Sequence, residues 1–120
     1  MSKQRAKGTR LETLMTRWLR GRLGDDRIDR MPLKGNGDEG DISGIRTILG
    51  EKVAVEVKAH ARYDLAGWIA EAEVERGNAD AHAAVVIFKR RGKGQPRDQF
   101  VLMDAESFAV LLGADREWET

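Results

Sequence analysis

The run Val53-Ala54-Val55-Glu56-Val57-Lys58 places an acid and a lysine inside an otherwise apolar stretch, and Asp41-Ile42-Ser43-Gly44-Ile45 precedes it with fourteen residues between Asp41 and Glu56. A strand has a period of two, so Val53, Val55 and Val57 share one face while Ala54, Glu56 and Lys58, followed by His60, share the other. Burying a carboxylate among valines is costly unless its charge is compensated, and a divalent cation is the obvious compensating group. Gly50 offers a turn that folds the Asp41 stretch back antiparallel to the second strand and brings the Asp41 and Glu56 carboxylates together. Hard oxygen ligands of this kind suit Mg²⁺, with Mn²⁺ able to substitute. A lysine beside such an ion can orient an attacking water or help to deprotonate it. The bland reading of the same residues is an edge strand whose Glu56 and Lys58 are solvated and paired, which contributes little energy.

Composition narrows the chemistry. A chain of 120 residues builds one core, and no stretch approaches a membrane span or a secretory signal, so the expected setting is the cytoplasm with no membrane partner. The absence of cysteine excludes disulfides, zinc knuckles, iron–sulfur clusters and thiol nucleophiles. Ser2, Ser43 and Ser107 lie in no nucleophile-elbow context, and no phosphate-loop pattern occurs, so no nucleotide cofactor is expected. The net charge of +1 conceals a split: residues 1 to 34 hold ten Lys or Arg against four Asp or Glu, a balance of +6 that leaves −5 for the remainder. Such segregation can build the basic face of a nucleic-acid binder, or simply a solubilising end.

Along the chain, residues 1–8 are basic without apolar anchors and read as a flexible arm, residues 9–112 as the folded domain, and residues 113–120 as a polar tail. Leu11, Leu14, Met15, Trp18 and Leu19 recur at helical spacing behind Thr9, an N-cap candidate, and this helix ends near Gly21 or Gly24. Glu12 sits on the flank of that apolar stripe; it can reach a metal site, or it can close a capping box with Thr9. Ile28–Leu33 reads as a first strand, held to an edge by Pro32. Asp38, in the Gly-rich loop before Asp41, is either a further ligand or a solvated turn residue. Residues 64–75 carry Leu65, Trp68, Ile69 and Ala72 on one helical face with Gly77-Asn78 as a stop, and Glu71, Glu73 and Glu75 read as a solvated outer surface. Ala83–Phe88 is a strand buried on both faces, Gly92–Asp98 an exposed loop, and Phe100–Met103 a strand after which Asp104 caps a last helix. Trp68, Ile69 and Phe88 could form a dimer seam, although core packing accounts for each. The expected fold is α/β in the order αβββαββα, a mixed central sheet of about five strands flanked by helices.

The Asp41 and Glu56-Val57-Lys58 arrangement resembles the PD-(D/E)xK nuclease superfamily, with Gly40 where the proline of that motif stands. Over nearly the whole chain the pattern is similar to the archaeal-type Holliday junction resolvases and their phage-encoded relatives: Lys7-Gly8-Thr9-Arg10-Leu11-Glu12 matches the basic start and first-helix glutamate, and Arg30-Met31-Pro32 with Gly35-Asn36-Gly37 matches the segment before the aspartate. The resemblance implies a restriction-endonuclease-like fold and a Mg²⁺-dependent endonuclease that resolves four-way DNA junctions as a homodimer. It assigns catalysis to Glu12, Asp41, Glu56 and Lys58, and the metal to Asp41, Glu56, the Val57 carbonyl and Glu12. Lys3, Arg5, Lys7, Arg10, Arg17, Arg30, Lys34, Lys89, Arg90, Arg91 and Lys93 are the expected contacts to DNA phosphates. His60 is left outside the catalytic set. A nicking, flap or restriction-type nuclease would share these residues, and a non-catalytic DNA-binding protein could retain the fold.

Overall fold

In the computed structural model, which describes residues 3–32 and 37–118, three helices pack on a five-stranded mixed sheet. The elements are α1 (Lys3–Leu23), β1 (Asp29–Arg30), β2 (Ile42–Ser43), β3 (Val53–Lys58), α2 (Leu65–Ala79), β4 (Ala83–Phe88), β5 (Phe100–Leu102) and α3 (Ala105–Leu111), with a 3₁₀ turn at Pro96–Asp98. Strands lie in the order β1-β2-β3-β4-β5. β1, β2 and β3 are antiparallel neighbours, β3 and β4 run parallel over six residue pairs from Val53↔Ala83 to Lys58↔Phe88, and β5 returns antiparallel to β4. This is the α/β order expected from the sequence, and it is compatible with a restriction-endonuclease-like fold.

The alternation along β3 produces two layers. Val53, Val55 and Val57 join Leu11 and Met15 of α1, Ile42, and Val110 of α3 in one apolar cluster. Ala54 faces the other way into a second cluster with Trp68, Ala72 and Ala79 of α2 and with Val86 and Phe88. Trp68 and Phe88 are therefore core residues, and neither offers a dimer seam. β4 is buried at all six positions, as a strand covered on both faces must be. Pairing with β5 begins only at Val86, and the upstream Ala84 N–H donates instead to the buried Ser107 Oγ at 3.0 Å.

Several boundaries differ from the sequence expectation. β1 spans only Asp29–Arg30 where the sequence predicts Ile28–Leu33, Leu33 lying outside the described residues, and β2 only Ile42–Ser43 of the Asp41–Ile45 stretch. Helix α1 starts at Lys3, so residues 3–8, expected as an arm, are helical; Lys, Gln, Arg and Ala are strong helix formers and no proline interrupts them. Thr9 is consequently interior to the helix and caps nothing, which removes the capping-box reading of Glu12. Helix α2 runs past Gly77-Asn78 to Ala79, because Asp80 takes the left-handed conformation (φ 53°) and its N–H reaches the Arg76 and Gly77 carbonyls. The polar tail also folds back: Arg116 is buried, donating to the His82 carbonyl (3.1 Å) and to Glu73 (3.2 Å), while Trp118 meets the His82 ring edge-on. No helix among the described residues is long and apolar enough to cross a membrane.

The backbone at Gly40 excludes proline. Its φ is +107°, which proline cannot adopt, and a Cβ there would stand 2.8 Å from the Val55 carbonyl oxygen, a backbone atom that cannot step aside. Gly40→Ala is expected to cost about 2 kcal/mol or more and to displace Asp41 from β3, checked by chemical denaturation.

Candidate metal centre

Asp41 is fastened to β3 at two points. Its N–H donates to the Val55 carbonyl at 2.7 Å, and its Oδ2 accepts the Val57 N–H, also at 2.7 Å. The side chain thus replaces the next rung of the β2–β3 ladder, and β2 stops pairing where the carboxylate takes over. The hairpin places Asp41 beside Glu56, within hydrogen-bonding reach.

Glu56 points into the layer between the sheet and α2 and is only 7% exposed. Helix α2 brings Glu75 to the same place. Trp68, Ala72, Glu75, Arg76 and Ala79 form its buried stripe, so Glu75, 5% exposed, faces inward rather than forming the solvated surface expected from the sequence. The spacing contained that signal: Glu75 lies seven residues, two helical turns, after Trp68. Glu71 and Glu73 stay outside, where Glu71 pairs with Lys58 (2.6 Å) and Glu73 with Arg116 and Arg76.

Asp38 completes the group. One oxygen from each of Asp38, Glu56 and Glu75 lies within 4.8 Å of the other two. The Asp38 loop is held by the Asn78 side chain, which donates to the Asp38 carbonyl at 2.8 Å, and by Asp38 Oδ1, which accepts the Gly40 N–H at 2.9 Å. The turn reading of Asp38 holds, and the same residue faces two buried acids.

The electrostatics of the pair are severe. Burial first, then hydrogen bonding with Asp41 and Glu75 and their charges, pushes the Glu56 carboxyl far above the carboxylate range. Burial also raises Glu75; its bond with Glu56 opposes this, and the nearby Asp38 and Asp41 add to the rise. A proton held on Glu56 and shared toward Glu75 is the state this geometry favours without a cation. Even so, one oxygen of each carboxyl, Glu56 Oε2 and Glu75 Oε2, is buried with no hydrogen-bond partner among the described residues. Orphaned acceptors on an all-oxygen donor set fit a hard divalent cation such as Mg²⁺ or Mn²⁺.

These shifts fix a pH dependence. A carboxyl whose folded value lies above its free-chain value of about 4.3 contributes stability below that value, and the contribution is lost as pH rises. Asp25, lowered to about 2 by its bonds with Arg27, acts only in more acidic solution. The melting temperature of the protein in chelator is therefore expected to fall between about pH 5 and about pH 8; a flat or rising profile would refute the buried pair.

Lys58 shares the Glu56 face. Burial would lower its ammonium, but the bond to Glu71 and the charges of Glu56, Glu71 and Glu75 outweigh that and hold it above its ordinary value. Glu12 stands apart from the triad. Its carboxylate pairs with Arg30 at 3.3 Å, and burial and the Asp41 charge raise it against the pull of that guanidinium. Val57 contributes its main chain beside Asp41. The structure thus gathers Asp41, Glu56 and Lys58, adds Asp38 and Glu75, and leaves Glu12 on the α1 side of Asp41.

No family model, curated protein or solved structure significantly matches this chain.

Among the basic residues, Lys7, Arg10, Lys89 and Arg91 line one groove. Lys3, Arg5, Arg17 and Lys93 are exposed elsewhere, Arg90 lies over the Phe100 ring, and Arg30 is engaged by Glu12. Lys34 lies outside the described residues.

Proposed function

We propose that this protein is a metal-dependent DNA endonuclease, cleaving branched DNA and most specifically four-way junctions as a homodimer in the cytoplasm of a prokaryotic cell or phage-infected host. The observation that carries the reading is the convergence of the buried Glu56 and Glu75 with Asp38 and Asp41, with Lys58 on the same strand face as Glu56. Asp41, Glu56 and Glu75, with Asp38 and the Val57 carbonyl, would hold Mg²⁺, and Glu12 would serve from the α1 side. The ion supplies charge neutralisation at the scissile phosphate and a lowered pKa for water.

The chain's own groups do the rest. Glu56 would hold the cation as the carboxylate, its proton passing to solvent water. Lys58 exchanges Glu71 for the substrate, positions the attacking water and stabilises charge developing on the phosphate. The basic residues of α1 and the β4 end bind backbone phosphates, which makes affinity fall steeply with salt.

The test is cleavage of synthetic four-way junctions, flaps and linear duplex with Mg²⁺ or Mn²⁺. Symmetric paired nicks confined to junctions support resolution, whereas nicks at flaps or on duplex assign a different nuclease of the same chemistry. Asp41→Asn is the control that should lose cleavage and keep DNA binding. Wild-type protein inert on every DNA with both metals would sink the enzyme.

A further inference from the structure

A cavity of about 410 Å³ opens where β3 and β4 end, on the α1 side of the sheet. Its walls sort into two kinds. Leu11, Leu14, Ala59, Ala61 and the Tyr63 ring are apolar or aromatic, while Lys7, Arg10, His60, Lys89 and Arg91 are basic or imidazole groups. Among the described residues no acid lines it, in a chain with 20 Asp and Glu.

The aromatic part is built. Tyr63 donates its hydroxyl hydrogen to the Lys89 carbonyl at 3.0 Å, and Phe88 meets its ring edge-on at 5.0 Å. Arg91 lies over that ring at 5.4 Å, held by a bond to the Ala61 carbonyl at 2.5 Å. The result is a phenol and a guanidinium held side by side, and both planes are surfaces on which nucleobases stack. Lys7 and Arg10 stand across the opening on successive turns of α1. Neither makes an ion pair among the described residues, so their charges are available to a ligand.

We propose that this cavity receives one unpaired nucleotide of a DNA strand, its base on the Tyr63–Arg91 platform and its phosphates on Lys7 and Arg10. The volume lies in the range of sites that enclose small organic ligands, and a groove tracking phosphates beside an aromatic platform is how single strands are held without base readout. The location ties it to the nuclease reading: Leu11 precedes Glu12 and Ala59 follows Lys58. The inference rests on that reading only for the polymer being DNA, and it makes the substrate one with an unstacked or single-stranded nucleotide beside the cleavage point.

Binding measured in chelator tests the pocket without cleavage. A labelled short oligo-dT and a duplex of equal length are compared by fluorescence anisotropy. Tyr63→Ala is expected to weaken oligo-dT binding about tenfold or more and duplex binding by less than about twofold, while Tyr63→Phe, which keeps the ring and loses the bond to Lys89, is expected to lose less oligo-dT binding than Tyr63→Ala. Because Tyr63 also packs on Phe88, each variant is checked for folding. If Tyr63→Ala fails to fold, wild-type protein titrated with dTMP and with inorganic phosphate decides: amide shifts at Ala61 and Tyr63 are expected with the nucleotide only. Equal loss on both DNAs, no loss on either, or identical shifts with phosphate overturns the pocket. A pocket that behaves as stated in a protein that cleaves nothing would overturn the nuclease alone.

Discussion

Glu56→Gln is expected to abolish metal-dependent cleavage and, in the same protein, to raise the melting temperature without metal. The two effects share one cause. Keeping a buried carboxyl protonated near neutral pH, when the free chain would ionise it, costs on the order of 3 kcal/mol, and an amide of the same shape carries no such cost. Glutamine should therefore flatten the fall in stability with pH described for the wild type. On the catalytic side, removing a carboxylate from the proposed metal ligands is expected to lower kcat by at least about 10²–10³. Calorimetry in chelator and single-turnover cleavage read the two arms separately. A variant that melts lower at neutral pH would show that Glu56 is not held neutral in the folded protein.

Glu75→Gln is the second large effect. Burial and an orphaned oxygen make Glu75 the equal of Glu56 in this site, so the substitution is expected to reduce cleavage by about 10²-fold or more and to remove most of the Mg²⁺-induced rise in melting temperature. Glu73→Gln, two residues away on the outer face, should leave the metal response intact and cost stability only through Arg76 and Arg116. Isothermal titration with Mn²⁺ separates them. Equal Mn²⁺ affinity in Glu75→Gln and wild type would exclude Glu75 from the ligand set.

Glu73 and Glu75 also mark the boundary of what the sequence makes legible. Strands β3 and β4 are plain in it because strict alternation and a continuous apolar run of that length suit a strand and little else, and Asp104 marks the start of α3 by its capping chemistry. Glu56 stands out because a carboxylate among valines is anomalous, and Asp41 because the hairpin turn at Gly50 brings it to Glu56. Glu75 does not, since three acids at alternate positions look like a wetted surface until the helix phase is counted from Trp68. The first strand is short for a different reason: Asp41 spends its side chain on β3, and β2 has little ladder left to share. Residues 114–118 read as tail because Arg116 and Trp118 bind partners far away in sequence, which composition does not encode.

Asp38, Glu56 and Glu75 come from the loop before β2, from β3 and from α2, and they meet only where α2 packs on the folded sheet. An unfolded chain has no such site, so a cation bound there is a ligand of the native state alone and stabilises it by mass action, as RT ln(1 + [L]/Kd). The protein's persistence against heat and proteolysis would then follow the free magnesium around it, making ion supply a determinant of how long the chain stays folded.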